Sequence, residues 1–409
     1  MSMTTSPVTS SSPLTRSQQW HAVMAGFMGW TMDAFDFFVI VFMMDQLAAN
    51  FHVSKAEIIS TIMYTLAMRP VGALLFGVLA DRYGRRGPLM ANVVFFSVVE
   101  LLCGFAPNFA VFVVLRTVYG IGMGGEWGVG ASLAMESAPQ KWRGILSGLL
   151  QSGYSVGYLL AAIAARFVLP TWGWRPMFWL GGIPALLAFY IRWHVKESEA
   201  WRQDRVGSVG KIMKVVFQNW KLFAYLAAMM TLMMCLSHGT QDLYPDFLKS
   251  THHVGPATLS LIVAMMNVGA VVGAILFGFW SEKIGRRKAL VAALLLSLVT
   301  IPAWAFGAKL LIVGIAAFVI QVGVQGAWGI IPAHLNELSP GAVRGLIPGL
   351  AYQLGILFAA PTPKVEYALQ ARFGYGWALA GFEVATIVLL AVIVMLGKEE
   401  HGKEFLKPA

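Results

Sequence analysis

The stretch GALLFGVLADRYGRR, Gly72–Arg86, returns 201 positions later as GAILFGFWSEKIGRR, Gly273–Arg287. Eight of the fifteen positions are identical, and Asp81/Glu282 and Arg82/Lys283 keep their charge sign. The offset holds further on. Glu126-Trp127-Gly128 aligns with Ala327-Trp328-Gly329, Glu136 with Glu337, Pro139 with Pro340, and Arg143-Gly144 with Arg344-Gly345. Register kept over about seventy residues marks a duplicated unit. Each copy runs apolar helix, short charged turn, apolar helix.

Composition sets the solvent. Of 409 residues 57% are hydrophobic and 12% charged, against roughly 25% charged in a water-soluble protein. Apolar stretches fall near 20–48, 57–80, 88–107, 109–135, 144–168, 176–195, 221–248, 257–280, 287–306, 308–333, 345–362 and 375–397. Each is long enough for a bilayer core, which takes about 20 residues. No strand alternation competes, and only helices or closed barrels span lipid. The expected fold is an all-α membrane protein with twelve transmembrane helices, in two six-helix bundles related by a parallel pseudo-two-fold repeat. Secondary transporters are often built this way. The expected division is a disordered Ser/Thr-rich tail (1–19), a first bundle (20–195), a basic linker (196–220), a second bundle (221–397) and a short tail (398–409).

If both termini share one side, 21 of the 30 Lys and Arg fall there and seven on the other, with Arg69 and Arg116 inside helices. The positive-inside rule then puts both termini in the cytoplasm of a cell or inner membrane. The net charge of +10 is thus a topology signal rather than a nucleic-acid footprint. Cys103 and Cys235 lie inside apolar stretches and suggest neither a disulfide nor a metal site. No cofactor motif appears. The start lacks the pattern of a cleaved signal peptide.

Gly77-x-Leu79-x-Asp81-Arg82-x-Gly84-Arg85-Arg86 resembles the loop 2–3 signature of the major facilitator superfamily, with 278–287 similar to its loop 8–9 copy. Arg116-x-x-x-Gly120-x-Gly122 is similar to that superfamily's fourth-helix motif. The resemblance covers about residues 20–397. It implies the major facilitator fold, and a latch that closes the halves on the inside. Asp81, Arg82 and Arg85, with Glu282 and Arg286, match the latch residues, and Arg116 is grouped with them as a gating residue. Asp81 is expected beside the start of the eleventh helix near Gly345, and Glu282 beside the fifth near Gly144. The sixth stretch ends in WHVKESEAW, similar to the P-E-S-x-x-W ending of organic-acid branches, with Lys196 in place of proline.

Charges inside the membrane are costly and so informative. Asp33 and Asp36 share a face of the first helix at i,i+3. Asp33 lies about 20 Å in from the terminal end and Arg69 about 18 Å, at a rise of 1.5 Å per residue. Arg69 can grip a substrate carboxylate with paired hydrogen bonds or neutralise Asp33 or Asp36. Glu126 is a second candidate proton carrier. By the repeat, Asp33, Asp36, Arg69, Arg116 and Glu126 align with Met234, Ser237, Ala270, Ala317 and Ala327, the first two by extending the register beyond about 72–148. This asymmetry places the coupling chemistry in the first half. Gly153-Tyr154-Ser155-Val156-Gly157 matches a nucleophile elbow by letter only, since it sits in a continuous helix with no strand context. No enzyme is expected.

Ser237-His238-Gly239-Thr240-Gln241-Asp242 resembles the S-H-x-[ST]-Q-D core of lactate and pyruvate proton symporters. Two flanks differ: Met234 stands for the family's Asn and Asp246 for its Thr. The resemblance makes His238 and Gln241 substrate candidates and Asp242 a proton-coupling candidate. Gln325 is the expected second-half substrate contact, with Asn267 and Tyr352 as further polar candidates. The reading is a proton-coupled symporter of small monocarboxylates that works as a monomer by alternating access. Aromatic-acid or sialate symport is the alternative, since D-x-F-D and G-G-E-W-G are also similar to those branches. A non-transporting receptor on the same fold is the third option.

Overall fold

A computed structural model describes residues 14–406. Residues 1–13 of the expected tail lie outside the described residues, as do 407–409. Helix α1 (Arg16–Phe51) begins inside that tail because Thr15 and Gln18 form a capping box. The first half continues with α2 (Lys55–Tyr83), α3 (Arg86–Cys103), α4 (Phe109–Ser137), α5 (Arg143–Phe167), the short α6 (Leu169–Trp172), α7 (Arg175–Leu180) and α8 (Ala185–His194). The linker holds α9 (Glu199–Asp204) and α10 (Val209–Gln218). The second half runs α11 (Trp220–Gln241), α12 (Tyr244–His252), α13 (Pro256–Ile284), α14 (Arg286–Phe306), α15 (Leu310–Leu338), α16 (Ile347–Ala359), α17 (Thr362–Phe373) and α18 (Tyr375–Leu396). Among the described residues there is no strand.

The 201-residue offset holds in the backbone well beyond the motif. Helices α2 and α13 begin and end on matched positions, as do α4 and α15. Positive φ recurs in pairs: His52 (55°) with His253 (53°), Gly84 (109°) with Gly285 (89°), and Gly173 (75°) with Gly374 (79°). Gly84 and Gly285 explain the glycine of the G-R-R motif. The charged turn needs a left-handed residue, and glycine adopts it without a Cβ penalty.

Three expected helices are broken. The stretch 176–195 divides into α7 and α8 around Gly181-Gly182-Ile183-Pro184, and 221–248 into α11 and α12, where Pro245 cannot donate to the preceding turn. The third, 345–362, is α16 followed by α17, which runs on to Phe373 past Pro361. In each case the repeat mate is continuous or broken elsewhere. Among the described residues ten helical segments are long and apolar enough to cross a bilayer, the divided seventh crossing (Trp220–His252) included; the divided sixth and eleventh fall outside that set.

Within each half the first, second, fourth and fifth crossings form the packed interior: α1 with α5 and α2 with α4, then α11 with α16 and α13 with α15. The halves meet along α5–α13 and α2–α16. Outward faces carry large apolar side chains such as Val299, Leu311 and Leu396, each above 70% exposed, which suits a lipid-facing surface. Leu14 and Leu406 line one cavity, so both described ends lie on one face, called here the terminal face; the opposite one is the far face.

Candidate functional site

Arg69 is the central residue of α2, fourteen from either end. Pro70 follows it and leaves the Leu66 carbonyl without its helical donor. The α4 backbone comes so close that a Cβ at Gly124 would strike the Arg69 carbonyl oxygen. The guanidinium therefore projects into the seam between the halves. Its Nε donates to Gln353 Oε1 of α16 at 2.8 Å, and Gln353 Nε2 donates to the Gly124 carbonyl at 3.3 Å. One terminal nitrogen of Arg69 is buried and has no hydrogen-bond partner.

Asp33 and Glu126 lie within electrostatic reach of Arg69. Both are fully buried, as is Asp36, and no carboxylate oxygen of the three has a hydrogen-bond partner. A small side chain is required opposite Glu126, whose Oε1 occupies the space a Cβ at Gly29 would need. Arg69 thus makes no direct ion pair with Asp33 or Asp36. It is held by a neutral glutamine and keeps donor capacity in hand.

Five aromatic rings form a cluster, of which Tyr154 and Tyr352 lie within electrostatic reach of Arg69. Trp30 stacks on Tyr154 with centroids 5.6 Å apart, and Tyr352 stacks on Trp127 at 4.3 Å. Trp328, the repeat mate of Trp127, meets Tyr352 edge-on at 5.7 Å, and Trp30 meets it edge-on at 6.0 Å. The sequence reading placed Tyr352 among the candidates but passed over Trp30, Tyr154 and the tryptophan pair. The matched E-W-G and A-W-G steps were the available signal for two of the five.

The second half contributes a polar ladder between α11 and α15. Gln325 donates to Ser237 at 3.2 Å, Gln241 to Ser237 at 3.4 Å and to Gln321 at 3.2 Å, and Gln321 to Thr240 at 3.2 Å. This brings Gln241 and Gln325 together. His238 points elsewhere. Its Nδ1 pairs with Asp242 at 3.0 Å, and the two side chains are 39% and 36% exposed near the far face. Asn267 donates to the Val263 carbonyl of its own helix at 2.9 Å and joins neither group.

A second set of charges sits apart from Arg69. Arg116 pairs with Glu100 of α3 at 2.6 Å, lies over the Tyr119 ring at 4.3 Å, and is within electrostatic reach of Asp36. It stands seven residues from the far end of α4, so it belongs to the far third and not to the terminal-face latch with which the motif grouped it. Glu100 was missed, although it is the only charge in the stretch 88–107.

The latch itself is a pseudo-symmetric network on the terminal face. Asp81 accepts from the Gly345 and Leu346 amides at 2.8 and 3.1 Å and pairs with Arg85. Glu282 accepts from the Gly144 amide and from Arg286 at 2.8 Å. Each helix start thereby meets a carboxylate. Glu136 takes Arg85 of its own half at 3.0 Å and Arg344 of the other at 3.2 Å. Glu337 takes Arg286 at 2.9 Å and Arg143 at 2.9 Å, the same pattern shifted by 201 positions. Burial pulls Arg85 down, but Glu136 and Asp81 outweigh it and hold the guanidinium above its ordinary value. Arg82 takes no part; one residue on from Asp81 it is turned about 100° around the helix and lies over Tyr83 at 4.8 Å.

The linker and tail brace this network. Glu197, of the K-E-S-x-x-W run, accepts from the Arg85 and Ser198 amides at 2.8 and 2.9 Å, although burial pushes its carboxyl up. Trp201 Nε1 donates to the Asp81 carbonyl at 2.8 Å. On the other side Phe405 lies between two guanidiniums, Arg143 at 3.9 Å and Arg344 at 4.0 Å, and Lys403 Nζ donates to the Glu337 carbonyl at 2.8 Å. Hydrogen bonds between the halves are thus concentrated on the terminal face and at Arg69–Gln353.

Comparison with known proteins agrees with this architecture. The family model described as sugar (and other) transporter matches residues 21–207 and 216–399. The chain is 30% identical over 431 residues to a carboxylic acid transporter protein homolog of Saccharomyces cerevisiae, covering 96% of this chain and 70% of that one. It is 29% identical over 394 residues to the sialic acid transporter NanX of Escherichia coli, covering 94% and 95%. Among solved structures, a proton:xylose symporter bound to 6-bromo-6-deoxy-D-glucose superposes with a TM-score of 0.75 at 19% identity, over 95% and 98% of the two chains. The chain belongs to the sugar (and other) transporter family of the major facilitator superfamily and is a multi-pass membrane transporter, not an enzyme.

Proposed function

We propose that this protein is a proton-coupled symporter of small monocarboxylates of the lactate and pyruvate class. The observation that carries this reading is Arg69: a central guanidinium with an unpartnered donor, beside Asp33 and Glu126 whose oxygens are also unpartnered. A substrate carboxylate completes the donors of Arg69, and Gln241 and Gln325 of the ladder are its proposed contacts in the second half. Asp33, Asp36 or Glu126 takes a proton from outside and releases it inside. Asp242 and His238 serve the outer side of that route. Coupling requires that proton and anion bind more tightly together than apart.

The site lies in the membrane interior at the seam between two six-helix bundles, 20–195 and 221–397, which rock about it in alternating access. The closed terminal-face network is the inner gate of a monomer. Both termini lie in the cytoplasm of a cell or inner membrane, in keeping with the Lys/Arg excess on that face. The linker, through Glu197 and Trp201, and the tail, through Lys403 and Phe405, brace that gate.

A second reading, symport of a larger planar or ring-bearing organic acid, is favoured by one observation. The rings of Trp30, Trp127, Tyr154, Trp328 and Tyr352 form one cluster, whose two tyrosines lie within electrostatic reach of Arg69, and aromatic faces stack on flat ligands. Uptake into proteoliposomes separates the readings. Labelled lactate, benzoate and sialic acid are offered with and without an inward proton gradient. Gradient-driven lactate uptake that a protonophore abolishes supports the first reading. Benzoate or sialic acid uptake without lactate uptake replaces it with the second. Uptake that ignores the gradient removes proton coupling.

A further inference from the structure

Two buried carboxyls in the second half are not used by the transport reading above. Glu366 of α17 and Glu383 of α18 are each 0% exposed, and none of their four oxygens has a hydrogen-bond partner. Glu383 is lodged against α11, where its Oε1 fills the space a side chain at Gly239 would need. Electrostatic contact runs from Glu383 to Glu366 and from Glu366 to Asp242. Asp242, paired with His238, is half-exposed near the far face. Pairwise interactions thus connect His238 and Asp242 at that face to Glu366 and Glu383 in the interior.

No cation faces the inner pair. On α11 the ionisable neighbours are Cys235, which accepts from Thr362 at 3.5 Å, and His238. Lys364, Tyr367 and Arg372 of α17 are exposed. On α12, Tyr244 is stacked on Trp304, Asp246 pairs with the exposed Lys249, and His252 lies against Phe247. Helix α14 has no ionisable residue beyond Lys288, and α18 has Tyr375 at its start. Adjacent carboxylates without donors cannot both stay ionised in an apolar interior.

We propose that Glu366 and Glu383 form a second proton-binding site, belonging to the second half and loaded from the far face through Asp242 and His238. A proton taken from water at Asp242 passes to Glu366 and then to Glu383, each carboxylate gaining an O–H as its predecessor loses one. Buried charge is thereby not confined to the first half, although by the same offset Glu366 and Glu383 align with Ala165 and Gly182. Only the consequence for transport rests on the proton-coupled reading; the binding of protons does not.

Infrared difference spectra between acid and alkaline pH, in H2O and D2O, test the site directly on the whole protein in liposomes. Glu366→Gln and Glu383→Gln should each lose part of the D2O-sensitive carboxylic-acid band, and the double variant more. The loss must persist in an Asp33→Asn/Asp36→Asn/Glu126→Gln background. A band unchanged in both single variants overturns the proposal, and these two suffice if the double variant does not fold. In reversal-potential measurements the double variant should move fewer protons per substrate than the wild type. If wild-type uptake ignores a proton gradient, the symport reading fails while the spectra still judge the pair.

Discussion

Arg69 holds its place through a hydrogen bond to Gln353, a residue 284 positions away in the other half. Because that partner is neutral, the guanidinium is free to take an anionic one. A charge-assisted hydrogen bond contributes about 1.5–3 kcal/mol, so Arg69→Ala should weaken substrate binding roughly ten- to hundredfold. Arg69→Lys should recover little of this, because a point charge lacks the planar fork. Binding followed by fluorescence of the nearby tryptophans checks both. Asp33→Asn should keep substrate exchange between equal pools while losing proton-driven accumulation. If Asp33→Asn still accumulates substrate against its gradient, Asp33 is not the carrier, and Asp36 or Glu126 remains. Glu100 belongs at this level too. It was legible as the one charge in its stretch, yet its pairing with Arg116 depended on how α3 and α4 rotate against each other.

Among the elements, the starts of α5 and α16 are the points where one half holds the other. The Gly345 and Leu346 amides donate to Asp81, and the Gly144 amide to Glu282. Removing the charge in Asp81→Asn should cost about 0.3–2 kcal/mol at such a helix start. Hydrogen exchange at Gly345 and Leu346 should speed up accordingly, with the rest of the bundle unchanged. The tail acts on the same network, since Phe405 bridges Arg143 of one half and Arg344 of the other. Each cation–π contact contributes about 0.5–2 kcal/mol. Phe405→Ala should therefore raise exchange at Gly144 and favour the open terminal face. Unchanged protection there would show that the tail merely rests on a gate closed by other contacts. The position of Asp81 beside the eleventh crossing was legible in its motif. The breaks in the sixth, seventh and eleventh crossings were not, because glycine and proline near a helix can bend it, cap it or pass without effect until neighbouring helices are in place.

In the whole molecule, Glu136 and Glu337 stand at equivalent points about the pseudo-two-fold, each between an arginine of its own half and one of the other. Losing one partner of a buried pair costs about 3–5 kcal/mol, because the remaining charges are left uncompensated. Glu136→Gln and Glu337→Gln should therefore lower the thermal midpoint of the closed form by similar amounts. A large effect at only one of them would show that the halves do not share the load. The same symmetry explains why the charged turns of both halves gather on one face. Both copies enter and leave the membrane in the same sense.

Duplication, crossing count, helical class and the charged turns could be read from the chain alone. They are written in local patterns: apolar runs of bilayer length, a recurring offset, a glycine where φ must be positive. The candidate charges of the first half were also readable, since an ionisable residue in an apolar run stands out without any structure. Which of them meet was another matter. The Arg69–Gln353 bridge, the ring of aromatic side chains, the separation of Arg116 from the latch and the Glu366–Glu383 pair all join residues on different helices. Such contacts depend on helix rotation, depth and packing, and hydropathy along the chain is blind to all three. Folding the two copies against each other brought Arg69 to Gln353 across the seam, while packing within each half set Arg116 against Glu100 and buried Glu366 and Glu383. Burial removes water and leaves each charge to the neighbours that packing provides.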